Sequence, residues 1–451
     1  MKVGLMMIEQ LSELYGRQIP SRDVSPSLLT NSAVCRRPAF DGAHCQRCGQ
    51  SADRRSTTLP NGAIYCPHCI QMGRLTSNDE LCTIAEPNQF TSRLPALTWT
   101  GVLTALQAEC SHRIQAAFEQ RQDTLLWAVT GAGKTEMLFP GIAWALEAGL
   151  RVAVASPRVD VCLELAPRLQ AAFNAVDQVV LYGDMKGAYQ YCQLTICTTH
   201  QLLRFYHAFD VLVVDEVDAF PFASDPGLKY ASEQAKKPNG ALLYLTATPS
   251  DWLQRAARKG ELVMTYLPIR YHGHLLPEIK VVRTRDWRAK MHQGRLPDRL
   301  VRQMRENFTH RRRFLLFAPH VADLPALKRA LELTFPGETV VTVHAADPER
   351  HAKVSRMRSR ELNFLVTTTI LERGVTFPEI DVFVLGAEDQ VFSTAALVQI
   401  AGRAGRSASD PDGAVRFYAN QLTEVIKTAQ QQIKFVNRKA RRIQHDSVRP
   451  M

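Results

Sequence analysis

Three sets of residues in this sequence have the types and spacing to do chemistry. Residues 128–135 read Ala-Val-Thr-Gly-Ala-Gly-Lys-Thr, and the small residues Gly131, Ala132 and Gly133 let backbone N–H groups curl around phosphate oxygens. In such a loop Lys134 reaches the β- and γ-phosphates of ATP, the Thr135 hydroxyl ligates Mg2+, and Thr130 belongs to the same nucleotide-binding turn. The first glycine of the general phosphate-loop pattern is replaced here by Ala128. Residues 211–218, Val-Leu-Val-Val-Asp-Glu-Val-Asp, run four apolar side chains into acids. A strand ending there puts Asp215 beside the Mg2+ and Glu216 where it orients or deprotonates an attacking water.

The third set is two Cys-x-x-Cys pairs, Cys45 with Cys48 and Cys66 with Cys69. Four thiolates on two tight turns match tetrahedral Zn2+. The residues between the pairs are mainly polar or glycine and build little core, so the expected role is a closed structural site that supplies folding energy. A catalytic zinc would keep an open position and usually a His or carboxylate ligand. His44 and His68 lie beside the ligands, and Cys35 and Cys82 are read as ordinary thiols.

These side chains need elements to hold them. The phosphate loop follows an apolar strand at 125–129 and precedes an apolar helix; further strands are expected at 152–155, 194–197, 211–214 and 242–245. Continuous apolar runs separated by helical stretches are what a parallel sheet covered on both faces requires. A charged and polar segment at 283–313 follows, and then strands are expected at 314–318, 340–343, 364–367, 382–385 and 414–417. The fold class is therefore α/β, two tandem parallel-sheet domains preceded by a small zinc-binding module. The expected divisions are an extension with little independent structure at 1–43, the zinc module at 44–93, the ATP-binding domain at 94–275, a second domain at 276–425 and a basic tail or terminal helix at 426–451.

Composition agrees with this reading. The chain has 451 residues, 45% of them hydrophobic and 22% charged, which excludes bulk disorder and leaves room for two or three cores. No run approaches the ~20 apolar residues that span a bilayer. Glu9 and Glu13 interrupt the segment after residues 1–4 too soon for a signal peptide, so a cytoplasmic address is expected. Lys plus Arg total 55 against 44 for Asp plus Glu, a net charge of +11 that suits a polyanionic partner. Lys434, Arg438, Lys439, Arg441, Arg442 and Arg449 concentrate part of it near the C-terminus with one acid, Asp446; a solvated face and a phosphate contact fit this run equally.

Two weaker segments gain weight from their order. Thr246-Ala-Thr-Pro-Ser250 follows a strand, and its hydroxyls are expected to hydrogen-bond Asp215 or Glu216 and so sense the γ-phosphate. Residues 399–406, Gln-Ile-Ala-Gly-Arg-Ala-Gly-Arg, place Arg403 and Arg406 three apart, expected on one helical face, where guanidinium groups could stabilise charge on the γ-phosphate. With Ser156-Pro-Arg158, Thr198-Thr-His200 and the run 367–374, Thr-Thr-Thr-Ile-Leu-Glu-Arg-Gly, the ordered set resembles superfamily 2 helicases over roughly residues 95–420. That resemblance implies two RecA-like domains with ATP between them. It implies single-stranded nucleic acid touched by Pro157, Arg158, Thr198, Thr199, His200, Gln201, Thr367, Thr368 and Thr369. It further implies Gln107 at the adenine edge and Gly374 among the nucleotide-binding residues.

A four-cysteine module directly before such a core is similar to the ComFA family, the late competence ATPases of bacterial transformation. The run at 367–378 and the 399–406 ending resemble it most. The resemblance implies a DNA-dependent ATPase stimulated by single-stranded DNA that draws the incoming strand through the membrane channel. The partners it implies are a ComFC-like protein, the DNA-processing protein that receives the strand and the uptake channel, with peripheral attachment at the inner face of the membrane; self-association is a further expectation. Two alternatives stay open at this level. One is a replication-restart helicase of the PriA type, whose zinc ligands lie between or after the motor motifs. The other is a zinc-dependent DNA-binding module with a regulatory ATP site.

Overall fold

The computed structural model describes residues 7–183 and 189–448. Residues 1–4 and Arg449, named above, lie outside the described residues. The chain forms two compact units, one made of the residues up to Trp127 together with Lys134–Leu267, the other of Ala128–Gly133 together with the residues from Pro268 onward.

In the first unit the N-terminal region builds a small antiparallel sheet from β1 (Ile19–Pro20), β2 (Cys35–Pro38) and β5 (Glu80–Thr83), in the order β1-β5-β2. Between β2 and β5, β3 (Phe40–Asp41) and β4 (His44–Cys45) form a hairpin that carries the first Cys pair. The region before residue 44, expected to have little structure, is thus ordered. Its strands are too short to show a period, and Ile19 pairs with Cys82 across more than sixty residues. Ile8, Leu14, Ile19, Val24, Leu28, Cys82 and Ile84 form a core of their own.

The motor sheet of this unit has seven strands: β6 (Thr124–Ala128), β7 (Val152–Ser156), β8 (Gln178–Leu181), β9 (Leu194–Thr198), β10 (Phe209–Val214), β11 (Lys236–Thr246) and β12 (Val263–Leu267). Their order is β12-β6-β11-β10-β7-β9-β8. The pairs from β6 through β8 run parallel, which brings their C-terminal ends to one edge. All five expected strands are present. The two unexpected ones, β8 and β12, are the sheet edges, where solvent on one side breaks the continuous apolar pattern; Val263 and Met264 are exposed. The helix Ala105–Glu119 is fixed by a capping box, in which Thr104 Oγ1 accepts from Gln107 N and Gln107 Oε1 accepts from Thr104 N.

In the second unit β13 (Ile279–Arg283), β14 (Arg313–Phe317), β15 (Thr342–Val343), β16 (Phe364–Thr367), β17 (Ile380–Leu385) and β18 (Val415–Ala419) make an all-parallel sheet in the order β13-β18-β17-β14-β16-β15. One face is packed with aromatic rings: Phe314 and Phe364, register partners on β14 and β16, stack with centroids 5.0 Å apart. The C-terminal basic run is a helix, Glu424–Val448. Ile426, Ala429, Ile433, Val436 and Ala440 bury one stripe of it, and Lys434, Arg438, Lys439, Arg441 and Arg442 stay in solvent.

Candidate functional site

The phosphate loop occupies the turn between the end of β6 and the helix Lys134–Glu147; its residues Ala128–Gly133 belong to the second compact unit and the helix to the first. Gly131 and Gly133 have φ of +79° and +73°, a conformation that a Cβ would strain, and the helix that starts at Lys134 directs its N-terminus at the loop. Lys134, Thr135 and Asp215 line one small pocket, closed behind by Leu138, Val154, Leu165, Leu169 and Leu245. Asp215 reaches it from the end of β10, where its N–H donates to Ala155 O of β7 at 2.8 Å. Its Oδ1 accepts from Glu216 N at 2.8 Å, and Glu216 sits at φ +54°, a left-handed conformation costing a non-glycine residue roughly 1–2 kcal/mol. The groups assigned to Mg2+ and to phosphate therefore converge on the ends of two strands. Gln107, expected at an adenine edge, lies buried in the capping box.

The hydroxyls of the Thr246-Ala-Thr segment do not meet Asp215 or Glu216 as expected. Thr246 Oγ1 donates to Asp218 at 2.7 Å, and Thr248 Oγ1 donates to the other oxygen of the same carboxylate. The reason is register: Val217 N donates to Leu245 O, extending the β10–β11 pairing past Glu216, so Asp218 is the acid that comes level with Thr246.

At the same C-terminal edge Ser156 is the register partner of Thr198, which brings Pro157 and Arg158 beside the turn Thr199–Arg204. Pro157, Thr198, Thr199 and Gln201 are buried, and Arg158 and His200 are half-buried. Burial pushes the His200 imidazole below its ordinary 6.5.

In the second unit Thr367 ends β16 and donates to Val343 O at 3.2 Å; Thr368 is buried and Thr369 opens a short 3-10 turn. Gly374, at the end of that segment, has φ +72°. Arg403 and Arg406 are not on one helical face. The helix Thr394–Ala401 stops at Gly402, and Gly405 at φ +63° carries the chain through a turn. Arg403 is 2% exposed with Nε donating to Glu372 O at 2.9 Å, while Arg406 Nε donates back to Gly402 O at 3.1 Å. Sequence reasoning passed over Arg270, whose guanidinium donates to Gly402 O and Gly405 O and so braces this turn. Its only signal was a charge inside an apolar stretch.

The four cysteines meet. The sulfurs of Cys45, Cys48, Cys66 and Cys69 are buried and all lie within 4.8 Å of one another, with Cys45 to Cys69 at 3.8 Å and Cys48 to Cys66 at 3.5 Å. Tetrahedral Zn–S bonds of about 2.3 Å place sulfurs about 3.8 Å apart, so the donor set fits zinc. Hydrogen bonding to the Cys45 sulfur drives the Cys48 thiol up and the Cys66 thiol down. Arg47, which no motif singled out, is 2% exposed and donates to Cys69 Sγ from Nε at 3.3 Å and Nη2 at 3.1 Å, as well as to the carbonyls of Cys69 and Gly73. It is the cation in contact with the Cys69 sulfur. His44 is turned to Ser51, Cys35 is exposed, and Cys82 belongs to the other N-terminal core. The ligands share a core with Leu202, Leu203, Phe205, Phe222 and Leu228, so the module is continuous with the motor sheet of its unit.

Comparison with known proteins agrees with this architecture. Residues 10–83 match the competence protein ComFA N-terminal domain, residues 104–256 the DEAD/DEAH box helicase family and residues 296–408 the helicase conserved C-terminal domain. Competence protein ComFA of Bacillus subtilis strain 168 is 41% identical over 403 residues, 89% of this chain and 87% of its own. Competence protein ComFA of Streptococcus pneumoniae R6 is 39% identical over 396 residues, 88% and 90%. Among solved structures, S. cerevisiae Dbp5 bound to RNA and ADP BeF3 matches with a TM-score of 0.53 at 14% identity, covering 74% of this chain and 91% of that one, a likeness of fold.

Proposed function

The chain belongs to the ComFA family and is an ATPase of the superfamily 2 helicase type, and from that premise we propose that it is the motor that draws single-stranded DNA inward during transformation. The observation that carries the chemistry is the shared pocket of Lys134, Thr135 and Asp215. Loop N–H groups and Lys134 would hold the phosphates of ATP, and Thr135 and Asp215 would hold a Mg2+ that would supply charge neutralisation there. Glu216, at the mouth of β10, positions a water for attack on the γ-phosphorus and takes its proton as the bond to the β-phosphate oxygen breaks. Arg403 and Arg406 are proposed to stabilise charge on the transferring phosphoryl group.

The strand-end segments at Pro157, Arg158 and Thr198–Gln201, and at Thr367–Thr369 in the second unit, are proposed to grip the DNA backbone in alternation. The N-terminal cysteines are proposed to hold a structural zinc. The proposed partners are a ComFC-like protein, the DNA-processing protein that receives the strand and the channel at the inner face of the membrane, reached from the cytoplasm. Among the described residues no helix is long and apolar enough to cross a membrane, which suits peripheral attachment.

The test is steady-state ATP hydrolysis by the full chain, alone and with single-stranded DNA, duplex DNA or RNA, with Lys134→Ala as control. Stimulation by single-stranded DNA that vanishes in the variant is the expected result. DNA binding with no turnover under any of these conditions would favour a DNA-binding module with a regulatory ATP site.

A further inference from the structure

We infer that Arg270 is a further phosphate-binding residue, a guanidinium beside Gly131 of the phosphate loop, positioned to pair with the phosphate chain of a nucleoside triphosphate held by that loop. The inference rests on the ATPase reading and assigns a residue outside the motifs that led to it.

Arg270 is 1% exposed. Nη1 donates to Gly405 O and Nη2 to Gly402 O at 3.2 Å, the carbonyls of the turn that carries Arg403 and Arg406. Nε is buried with no partner, and among the described residues no carboxylate pairs with the group. Neutral carbonyls satisfy donors but do not offset a buried positive charge, and such a charge without an anion is costly. The surroundings make it worse: burial first, and then the neighbouring cation Arg406, push the guanidinium down to about 9. His272, two residues on, is held below its ordinary value by burial and then by Arg270 and His274, so the site disfavours a second positive charge beside the guanidinium.

What lies against the side chain identifies the missing anion. Tyr271 N donates to Gly131 O at 3.0 Å, and a Cβ on Gly131 would stand 3.6 Å from Arg270 Cγ and 3.8 Å from Nε. Gly131 is a turn glycine of the phosphate loop. The unpaired Nε thus lies beside the backbone expected to wrap phosphate oxygens, and a triphosphate there supplies the counter-charge that the protein lacks. A purely structural brace would need two donors to two carbonyls and no charge.

The experiment separates the two roles. Affinity for a fluorescent ATP analogue, for ADP and for adenosine is measured in the full chain with Arg270, Arg270→Gln, Arg270→Lys and Lys134→Ala. Gln can still donate to a turn carbonyl but carries no charge. Loss of a charged hydrogen bond weakens ATP binding by about ten-fold or more in Arg270→Gln, with adenosine unchanged. Arg270→Lys, which keeps charge without the fork, falls between. The nucleotide-free melting temperature of Arg270→Gln is expected to hold or rise, because an unpaired buried charge is gone. Unchanged ATP affinity in Arg270→Gln, or equal losses for ATP and adenosine, would overturn the inference. Should Arg270→Gln fail to fold, Arg270→Lys decides, since ATP affinity equal to that of the parent overturns the role. If the parent chain binds no phosphate-bearing nucleotide, or Lys134→Ala leaves its binding and turnover intact, the ATPase reading itself falls.

Discussion

The cysteine module and the motor sheets place reactive side chains by opposite means. In the sheets, apolar strands buried on both faces fix the backbone, and chemistry sits at their C-terminal ends, where Asp215, Thr198 and Thr367 emerge. In the module the strands are two to four residues long, and the four sulfurs and Arg47 are what organise the loops. Burial of a large core makes a motor site tolerant of losing one polar group. A module whose order depends on a metal-type cluster is not tolerant, and because its ligands share a core with Leu202, Leu203 and Phe205, a failure there reaches the turn Thr199–Arg204.

That contrast can be broken at several points. The largest effect is expected from Cys66→Ala, predicted to abolish zinc binding at the four-cysteine cluster and to destabilise the module by on the order of several kcal/mol. Metal content and hydrogen exchange check it, with exchange at residues 199–205 rising; protection unchanged there would make the module an independent appendage. Next is Glu86→Gln. Glu86 and Arg151 pair with both side chains fully buried, and Arg151 also donates to Tyr15 O at 3.1 Å, so the connector is tied to the sheet. Leaving Arg151 unpaired should cost about 3–5 kcal/mol in a denaturant titration. Phe314→Ala removes a ring from the stacked aromatic face of the second unit and should cost a similar amount, about 3–5 kcal/mol, without moving the metal content.

Lys134→Ala should lower ATP turnover by at least about a hundred-fold while the melting temperature stays near the parent's, since the residue serves the site and not the core. The smallest effect concerns pH. His200 has its folded-state pKa depressed below 6.5, so its contribution is present above 6.5 and is lost as pH falls below it, where the unfolded chain takes the proton first. His200→Gln should flatten the fall of melting temperature over that acid range, and an unchanged slope would place the titration elsewhere.

Much of the site was legible because its signals are local. A glycine turn before Lys134, two acids after an apolar run and two Cys-x-x-Cys pairs are each contained in eight residues or fewer. Each identifies its own chemistry without knowledge of the fold. The five first-sheet strands were legible for the same reason, since double-sided burial writes an unbroken apolar run. The edge strands β8 and β12, the two-residue β1 and the helical state of Arg403 and Arg406 were misjudged or missed. Edges lose the apolar run, short strands have no period, and a glycine at φ +63° ends a helix that spacing alone would continue.

The local sequence was enough to give the class of chemistry, an ATPase of the helicase type, and to single out Lys134, Thr135 and Asp215 and the four cysteines as the residues to test for it. Which polar groups meet came from the folded chain alone. It gave Thr246 and Thr248 to Asp218, brought Ser156 level with Thr198, laid Arg47 on the Cys69 sulfur and buried Arg270 against the Gly402–Gly405 turn. The physical reason is that a reactive type needs only its own side chain and neighbours in sequence. A partner is set by strand register and packing between residues tens to hundreds of positions apart, and no local pattern records that.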